Sequence, residues 1–417
     1  MKRLLTSLAP LLALILLLPG CSPGEQAETV ELWTDQPLLA LYTELYNASR
    51  GAGKVKLLYR ADVAEAVLTE GGTPDVVIGK GLANRNLAPY VRELNNLGSD
   101  SLETIYPDLL ELGRYDGTLR FLPLSFDLPA VQFLETTLPE AAVPLISVAE
   151  LRDRGSEFNS VESERYVRMG FSPLWDERFL LAWAQMEGTS FTEIEELRVA
   201  WDQADLEEMV EAGVAWRSEI NGGGEAAAAF SERYLYDPPE KLLRRGRIGF
   251  YYTTAGSFLS RPDEANRGMS IRWLHKDGLV PVLPEIVYAA IPDRARYRRS
   301  AIEFLRWLTD PGVQRRVMET ALDRRLDSFG FLGGFSSLPR VNRQTLTEVY
   351  PALLGWIPPA DRLAFPAQTP LNWSAVEEKV VGPWLREAIR LRSAGEPREP
   401  DTELDDAIDQ WYRARGL

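Results

Sequence analysis

Strands and helices alternate at regular spacing from residue 29 to residue 79, and this alternation constrains the fold most strongly. Residues 29–33 alternate between polar and apolar side chains as a strand does, and residues 37–50 repeat apolar side chains at helical spacing. A second strand (residues 54–59), a second helix (62–70) and a buried-type strand (75–79) follow. The succession predicts an α/β fold built around a parallel sheet.

The turns that follow these strands form a candidate binding edge, because ligands of open α/β sheets bind beyond the carboxyl ends of the strands. This edge includes Trp33, Asp35 and Gln36 after the first strand and residues 79–81 after the third. Asp35 has an equally good explanation as the cap of the following helix, since aspartate is a favoured N-cap residue.

The N-terminal segment is typical of an export signal. Lys2 and Arg3 precede an apolar run at residues 4–18, which has signal-peptide length and is short for a membrane span. The run leads to the only cysteine, Cys21, as in a bacterial lipoprotein signal, although Pro19 departs from the usual small residue.

We expect residues 1–20 to be the signal peptide and residues 21–28 to be a flexible tether that begins at a lipidated Cys21. The protein would then work outside the cytoplasm, anchored to a bacterial membrane by its lipid. The competing interpretation is an ordinary signal peptide followed by a chance cysteine.

Charge and residue usage narrow the chemistry. The formal net charge is -15. Without Lys2 and Arg3, 44 basic and 61 acidic residues leave -17, which argues against nucleic acid and against electrostatic adhesion to anionic lipid. His275 is the only histidine, so neither a zinc site of His and Cys nor catalysis by a Ser-His-Asp set is expected unless His275 serves. We expect no metal, no cofactor and no catalytic residue.

Several stretches follow one another in an order that resembles a known family. They are the lipoprotein-type signal, residues 30–33 (VELW) with the helix after them, 73–77 (TPDVV), 115–127 (YDG to LPLSFD), 243–250 (LRRGRIGF) and 301–311 (AIEFLRWLTDP). Their order and spacing are similar to those of the extracellular solute-binding proteins (family 1, sugar-binding type) of bacterial ABC importers, over nearly the whole chain after the signal.

The resemblance implies a two-lobe fold like that of the periplasmic binding proteins (type II), with the ligand in a cleft that closes by hinge motion. It places residues 29–125 and 290–330 in the first lobe and residues 126–289 and 331–417 in the second. It also implies a monomer that captures a sugar or oligosaccharide and delivers it to the permease subunits of an ABC transporter.

Sugars present apolar ring faces and hydroxyl groups, so their sites combine aromatic side chains with polar ones. Positions near predicted strand ends and lobe crossings supply both kinds, although for any one aromatic residue a place in the core is the commoner outcome. The candidate ligand contacts are Trp33, Asp35, Gln36, Phe126, Asp127, Trp175, Asp176, Tyr251, Tyr252, Trp273 and Phe335.

Three alternatives stay open at this point. The adjacent Tyr251 and Tyr252 resemble the paired tyrosines with which some iron-binding members of the wider superfamily hold ferric ion. A secreted glycoside hydrolase would also be acidic and rich in aromatic residues, but it needs two catalytic carboxylates, and none stands in a recognisable motif. A surface lipoprotein with a sensory or structural role could have the same two-lobe fold.

Overall fold

The computed structural model describes residues 28–49, 53–98, 102–138, 143–195, 197–394 and 399–416. The predicted signal peptide and Cys21 lie outside these ranges, and lipidation therefore stays a prediction. Within the described ranges, no helix is both long enough and apolar enough to cross a membrane.

Six strands form the sheet of the first lobe. Their spatial order is Phe335–Ser336, Leu122–Phe126, Val287–Ala290, Val76–Lys80, Thr29–Thr34 and Lys54–Tyr59. Thr29–Thr34 pairs in parallel with both of its neighbours, so that Leu32 stands opposite Leu57 and Val76. Val287–Ala290 runs antiparallel between its two neighbours. The predicted α/β unit with a parallel sheet is confirmed.

The helices of the first lobe pack apolar stripes against this sheet. Helix Arg298–Leu308 buries Ala301, Phe304, Leu305 and Leu308, the four positions that share one face at helical spacing. The remaining helices are Leu39–Ser49, Val63–Thr69, Pro107–Leu112, Pro311–Asp323 and Thr347–Val349, with shorter turns at Ala88–Tyr90, Asn95–Leu97, Val341–Leu346, Pro351–Leu353 and Ala360–Arg362.

The second lobe has a four-stranded sheet in the order Phe250–Thr254, Pro129–Leu134, Met269–His275 and Leu145–Ser147. Aromatic side chains fill much of its core, where Phe179 and Trp216 both contact Trp183 at ring separations of about 6 Å. Its helices are Val148–Phe158, Glu177–Glu187, Gln203–Ala215, Gly223–Tyr234, Pro239–Arg244, Ala255–Leu259, Asp263–Asn266, Trp373–Val376, Gly382–Arg392 and Leu404–Arg413, with turns at Pro173–Trp175, Trp216–Ile220 and Glu377–Val381.

In the part of the chain that the structure describes, four two-stranded ribbons accompany the two sheets. They are Arg114–Tyr115 with Thr118–Leu119, Ser160–Glu162 with Arg165–Arg168, Thr192–Glu195 with Arg198–Ala200, and Val280–Pro281 with Leu363–Ala364. The last of these lies where the chain passes between the lobes.

Three crossings connect the lobes. The first is residues 127–128, the second is residues 282–286, and the third is residues 365–372. Backbone hydrogen bonds tie them together, since Leu283 N donates to Asp127 O at 3.0 Å and Val282 N donates to Ala364 O at 2.7 Å. The crossings thus form one bundle of extended chain at the base of the cleft between the lobes.

The lobe boundaries differ from the predicted ones at two places. Residues 331–417 were predicted to lie in the second lobe, but Phe335–Ser336 pairs antiparallel with Leu122–Phe126 in the first sheet. Val287–Ala290 also belongs to the first sheet, although the boundary was predicted at residue 290. The strand Phe335–Ser336 is too short to show sequence periodicity, and its partner strand lies about two hundred residues away in the chain. Its lobe could therefore not be predicted from the local sequence.

Candidate functional site

A cavity of about 310 Å³ lies between the lobes, and we call it the interlobe cavity. Both lobes and all three crossings line it. The lining side chains with polar groups or aromatic rings are Lys80, Asp127, Arg178, Gln185, Thr189, Ser190, Phe191, Tyr252, Thr254, Ser257, Glu285, Thr369, Trp373 and Glu377. A second cavity of about 330 Å³ shares Lys80, Asp127, Ser257 and Glu285 with it and reaches Gln36, Phe126 and the loop 332–334. Together they form a continuous cleft.

Lys80 is the cation that the first lobe presents to this cleft. It ends the strand Val76–Lys80, and its Nζ lies 2.5 Å from Glu285 Oε2 of the second crossing. Burial lowers the pKa of Lys80, but the carboxylate of Glu285, helped by Asp127 and Asp35, outweighs burial and holds the pKa above its ordinary value. Lys80 falls within residues 79–81, which the sequence placed at the binding edge.

Asp35 supports the same corner of the cleft rather than a helix end. Its carboxylate accepts hydrogen bonds from the backbone amide of Lys80 at 3.1 Å and from Gln36 Nε2 at 2.6 Å. Burial raises the pKa of Asp35, and these hydrogen bonds oppose the shift. Neither donor is an amide of helix Leu39–Ser49, and Asp35 lines neither cavity, so its contact with a ligand stays a prediction.

Asp127 lies at the first crossing and joins two elements of the second lobe to it. Its Oδ1 accepts from the backbone amides of Leu128 at 2.8 Å and Gly256 at 2.9 Å, and the side chain of Thr254 also hydrogen-bonds to it. Burial raises the pKa of Asp127 above its ordinary value despite these bonds. Asp127 lines both cavities, as predicted for a cleft residue at a lobe crossing.

The two adjacent tyrosines lie on opposite faces of the strand Phe250–Thr254, because side chains alternate along a strand. Tyr252 is 2% exposed and lines the interlobe cavity, whereas Tyr251 is half-buried and lines neither cavity. Burial raises the pKa of both hydroxyls. Because the pair does not converge on one point, the geometry argues against a ferric ion held by Tyr251 and Tyr252 together.

Asp176 acts on the site through its neighbour Arg178. Asp176 caps helix Glu177–Glu187 by accepting from Arg178 N at 3.0 Å, and it also accepts from Arg178 Nε at 3.0 Å and Nη2 at 2.6 Å. These bonds hold the pKa of Arg178 above its ordinary value. The guanidinium group lines the interlobe cavity, so Asp176 positions a cleft residue without lining the cavity itself.

Three predicted aromatic contacts lie in the core instead, and a fourth, Trp175, is partly buried and lines neither cavity. Trp33, Trp273 and Phe335 are at most 2% exposed. The indole of Trp33 donates to Glu31 at 2.8 Å and that of Trp273 donates to the Trp356 carbonyl at 2.7 Å. Trp175 stacks on Phe230 at 6.0 Å. The three core residues lie within strands rather than beyond the strand ends, which explains their burial.

Several lining residues had no signal in the sequence. Trp373 and Glu377 lie four residues apart on one helical segment, and Phe191, from a distant part of the second lobe, meets them only after folding. Glu377 is partly buried at the start of the π-helical segment Glu377–Val381, and this burial raises its pKa to about 8, with help from the nearby charge of Glu285. Lys80 directly follows the predicted strand 75–79 and lies within the predicted binding edge, although it was not named as a ligand contact.

The cleft can therefore hold a small polar ligand between two lobes.

No protein-family profile and no curated protein matches the sequence of the chain. Solved structures do match its fold. A sugar transporter from Rhizobium etli in an open conformation is 15% identical with a TM-score of 0.64, over 94% of this chain and 100% of that one.

Two further solved structures are similar to the same degree. An ABC substrate-binding protein from Listeria monocytogenes in complex with cycloalternan is 10% identical with a TM-score of 0.64, over 94% of this chain and 100% of that one. The sugar-binding protein MalE from Xanthomonas citri is 14% identical with a TM-score of 0.64, over 93% and 96%. The chain thus has the two-lobe α/β fold of the periplasmic binding proteins, as predicted.

Proposed function

We propose that the chain is the solute-binding subunit of an ABC importer and that it captures a carbohydrate in the interlobe cavity. The observation that carries this proposal is the cavity itself, which both lobes line at the point where the crossings run. A ligand held there would contact both lobes at once, and such contacts favour the closed state in hinge-bending proteins.

The lining chemistry suits a sugar. Hydroxyl groups can donate to Asp127, Glu285 and Glu377 and can accept from Lys80 and Arg178. Tyr252, Phe191 and Trp373 give the cavity aromatic walls. The volume of about 310 Å³ lies at the lower end of the range of about 300–1,000 Å³ for small-molecule sites, which favours a short saccharide over a long one.

The structural neighbours support the same ligand class. One of them was solved with cycloalternan and another with maltotriose, and the latter covers 92% of this chain at a TM-score of 0.57. We infer the same class of ligand here from the similar fold together with the polar lining of the cavity.

We further infer that the chain binds its ligand without chemical turnover and works outside the cytoplasm. In this account a lipid on Cys21 would hold the protein at a membrane, and residues 21–28 would connect the lipid to the first strand. The permease subunits of the importer are the expected partners, and the bound lobes would present the ligand to them.

A saccharide panel followed by thermal unfolding tests the proposal. A ligand present at a hundred times its dissociation constant should add about 2.7 kcal/mol of stability. Product analysis of the same mixtures checks for hydrolysis. Stabilisation by at least one saccharide without turnover is expected. Turnover, or stabilisation only by ferric ion, peptide or another non-sugar compound, would overturn the assignment.

A further inference from the structure

The interlobe cavity has more carboxylates than cations to neutralise them. Lys80 is paired with Glu285, and Arg178 is paired with Asp176. Asp127 and Glu377 line the same cavity, and neither has a basic group within ion-pair distance among the described residues. Once the two pairs are set aside, two acidic groups line the ligand space without an ion-pair partner of their own.

Glu377 and Asp127 differ in what holds them. Asp127 is occupied by two backbone amides and by the Thr254 side chain. The side chain of Trp373 favours the charged form of Glu377, and the nearby like charge of Glu285 opposes it. A buried carboxylate next to another is costly unless a cation or a proton joins it. Glu377 is therefore the group that gains most from a cationic ligand.

A second observation at the same cavity points to a ligand independently of charge. The side chain of Thr189 is 1% exposed and lines the cavity, and its Oγ1 has no hydrogen-bond partner. Buried hydroxyl groups are nearly always hydrogen-bonded in native proteins. The hydroxyl group of Thr189 can thus form a hydrogen bond with a molecule bound in the cavity.

We propose that the ligand of the interlobe cavity is a saccharide that carries a protonated amino group, with Glu377 as the carboxylate that receives the ammonium ion. The proposal rests on the proposed function and specifies its ligand. A sugar ring with hydroxyl groups would occupy the polar lining, including Thr189, while its ammonium group would supply the countercharge that the cavity lacks.

The binding of such a ligand is coupled to a proton. Glu377 has a pKa raised to about 8 by burial, so it is largely protonated at neutral pH in the empty cavity. An incoming ammonium ion favours the carboxylate, and the proton leaves to the buffer. A neutral saccharide leaves the proton in place. The charged and titratable groups that line the cavity or pack near Glu377 are Lys80, Asp127, Arg178, Tyr252, Glu285, Glu177 and Arg386, and Glu378 and Lys379 follow it in the chain at exposed positions.

The test compares sugars that differ only at one substituent. Glucose, glucosamine and N-acetylglucosamine form one set, the corresponding galactose and mannose compounds form two more, and cellobiose with the β-1,4 dimer of glucosamine forms a fourth. Calorimetry at pH 7 in two buffers of different ionisation enthalpy measures affinity and proton release together. In at least one set the amine should bind at least about tenfold more tightly than the neutral sugar and should release protons.

The outcomes separate this inference from the proposed function. Neutral sugars that bind as tightly as the amines, or amines that bind without proton release, would overturn the amine preference and leave the function standing. Binding of putrescine or spermidine, but of no saccharide, would overturn both. No binding of any saccharide would likewise count against both.

A matched pair of variants tests whether Glu377 is the residue responsible for the preference for amines. Glu377→Gln should reduce the ratio of amine affinity to neutral-sugar affinity to about one and abolish proton release. Glu378→Gln changes the exposed neighbour of Glu377 and should keep the wild-type ratio. If Glu377→Gln does not fold, the pH dependence of the wild type decides: amine affinity should rise from pH 6 to pH 8, and a flat profile would contradict the role of Glu377.

Discussion

Asp127 is the residue on which the geometry of the cleft depends most directly. It lies at the first crossing, lines both cavities and accepts the amide of Gly256 at the start of a helix in the second lobe. A Cβ atom at position 256 would lie 2.8 Å from Asp127 Oδ2 and 2.4 Å from the Gly333 carbonyl. Only glycine permits the second lobe to approach the crossing and the loop at residues 332–334 this closely.

Gly256→Ala should therefore lower both stability and ligand affinity. Overpacking at a tight site typically costs about 1–3 kcal/mol, and here the displaced groups are Asp127 and a backbone carbonyl. Chemical unfolding and calorimetry measure the two effects. Gly71→Ala is the control, since no atom lies within 4 Å of the added Cβ. Equal behaviour of the two variants would show that the close approach at Gly256 is unimportant.

Substitution of each of the two adjacent tyrosines by phenylalanine tests which of them contacts the ligand. Tyr252→Phe removes a hydroxyl group from a residue of the cavity wall, so saccharide affinity should fall, by up to about tenfold for one hydrogen bond. Tyr251→Phe makes the same chemical change on the opposite face of the strand and should leave affinity unchanged. Calorimetry of both variants with the same sugar is sufficient. A loss in Tyr251→Phe alone would reverse our assignment of the faces.

The raised pKa of Glu377 predicts how stability depends on pH. Its pKa is about 8 in the folded protein because of burial, against an ordinary value of 4.5, so between these values the folded protein binds more protons than the unfolded chain. Glu377 therefore destabilises the fold as pH rises through this window. Each pKa unit is worth about 1.36 kcal/mol, which sets an upper limit of a few kcal/mol.

Glu377→Gln cannot ionise, and its stability relative to wild type should increase from pH 5 to pH 8. Urea unfolding of both proteins at the two pH values measures the change. Glu378→Gln, at the exposed neighbouring position, should track the wild type. A constant difference between Glu377→Gln and wild type at both pH values would mean that Glu377 titrates like an exposed glutamate.

At the scale of elements, the capped end of helix Glu177–Glu187 connects local stability to the site. Asp176 caps this helix and also holds the guanidinium group of Arg178, which lines the cavity. Asp310 caps helix Pro311–Asp323 in the first lobe by accepting from Val313 N at 2.9 Å, and it lines neither cavity. The two caps are alike in their helix-end chemistry and differ in their relation to the cleft.

Asp176→Ala and Asp310→Ala should each lower the free energy of unfolding by about 1 kcal/mol, the usual contribution of an N-cap. Only Asp176→Ala should also weaken ligand binding, because Arg178 loses the partner that fixes its position. Thermal unfolding and calorimetry of the two variants separate the effects. Equal loss of affinity in both would indicate that general destabilisation, rather than Arg178, is responsible.

Elements with a strong local pattern could be predicted from the sequence. The strand Lys54–Tyr59 and the helices Leu39–Ser49 and Val63–Thr69 have the positions expected within about two residues. The apolar spacing, the capping residues and the helix-breaking residues that define these elements all lie within them or directly beside them in the sequence. The strand Phe335–Ser336 could not be predicted in the same way, because its place is set by pairing with Leu122–Phe126.

The candidate site shows the same division. Asp127 and Tyr252 line the interlobe cavity, and Gln36 and Phe126 line the second one, because all four lie near strand ends or at a crossing. Trp33, Trp273 and Phe335 were predicted contacts but lie in the core. Glu377 and Trp373 were missed, since their turn and helix reach the cleft only through packing of the C-terminal region on the second lobe.

In the molecule as a whole, both lobes and the crossings contribute polar groups to one ligand site. The first lobe contributes Lys80, the second lobe contributes Arg178 and Tyr252, and the crossings contribute Asp127 and Glu285. Hydrogen bonds between the crossings join them at the base of the cleft. Such an arrangement lets a ligand favour closure through contacts that neither lobe could make alone.

A crystal structure with the tightest-binding saccharide would show whether both lobes hold one ligand. We predict that the sugar lies in the interlobe cavity, with hydrogen bonds to Lys80 or Asp127 on one side and to Arg178, Thr189 or Glu377 on the other. The lobes should be at least as closed as in the unliganded protein. A sugar bound outside the cleft, or held by one lobe only with the other lobe making no contact, would contradict the account.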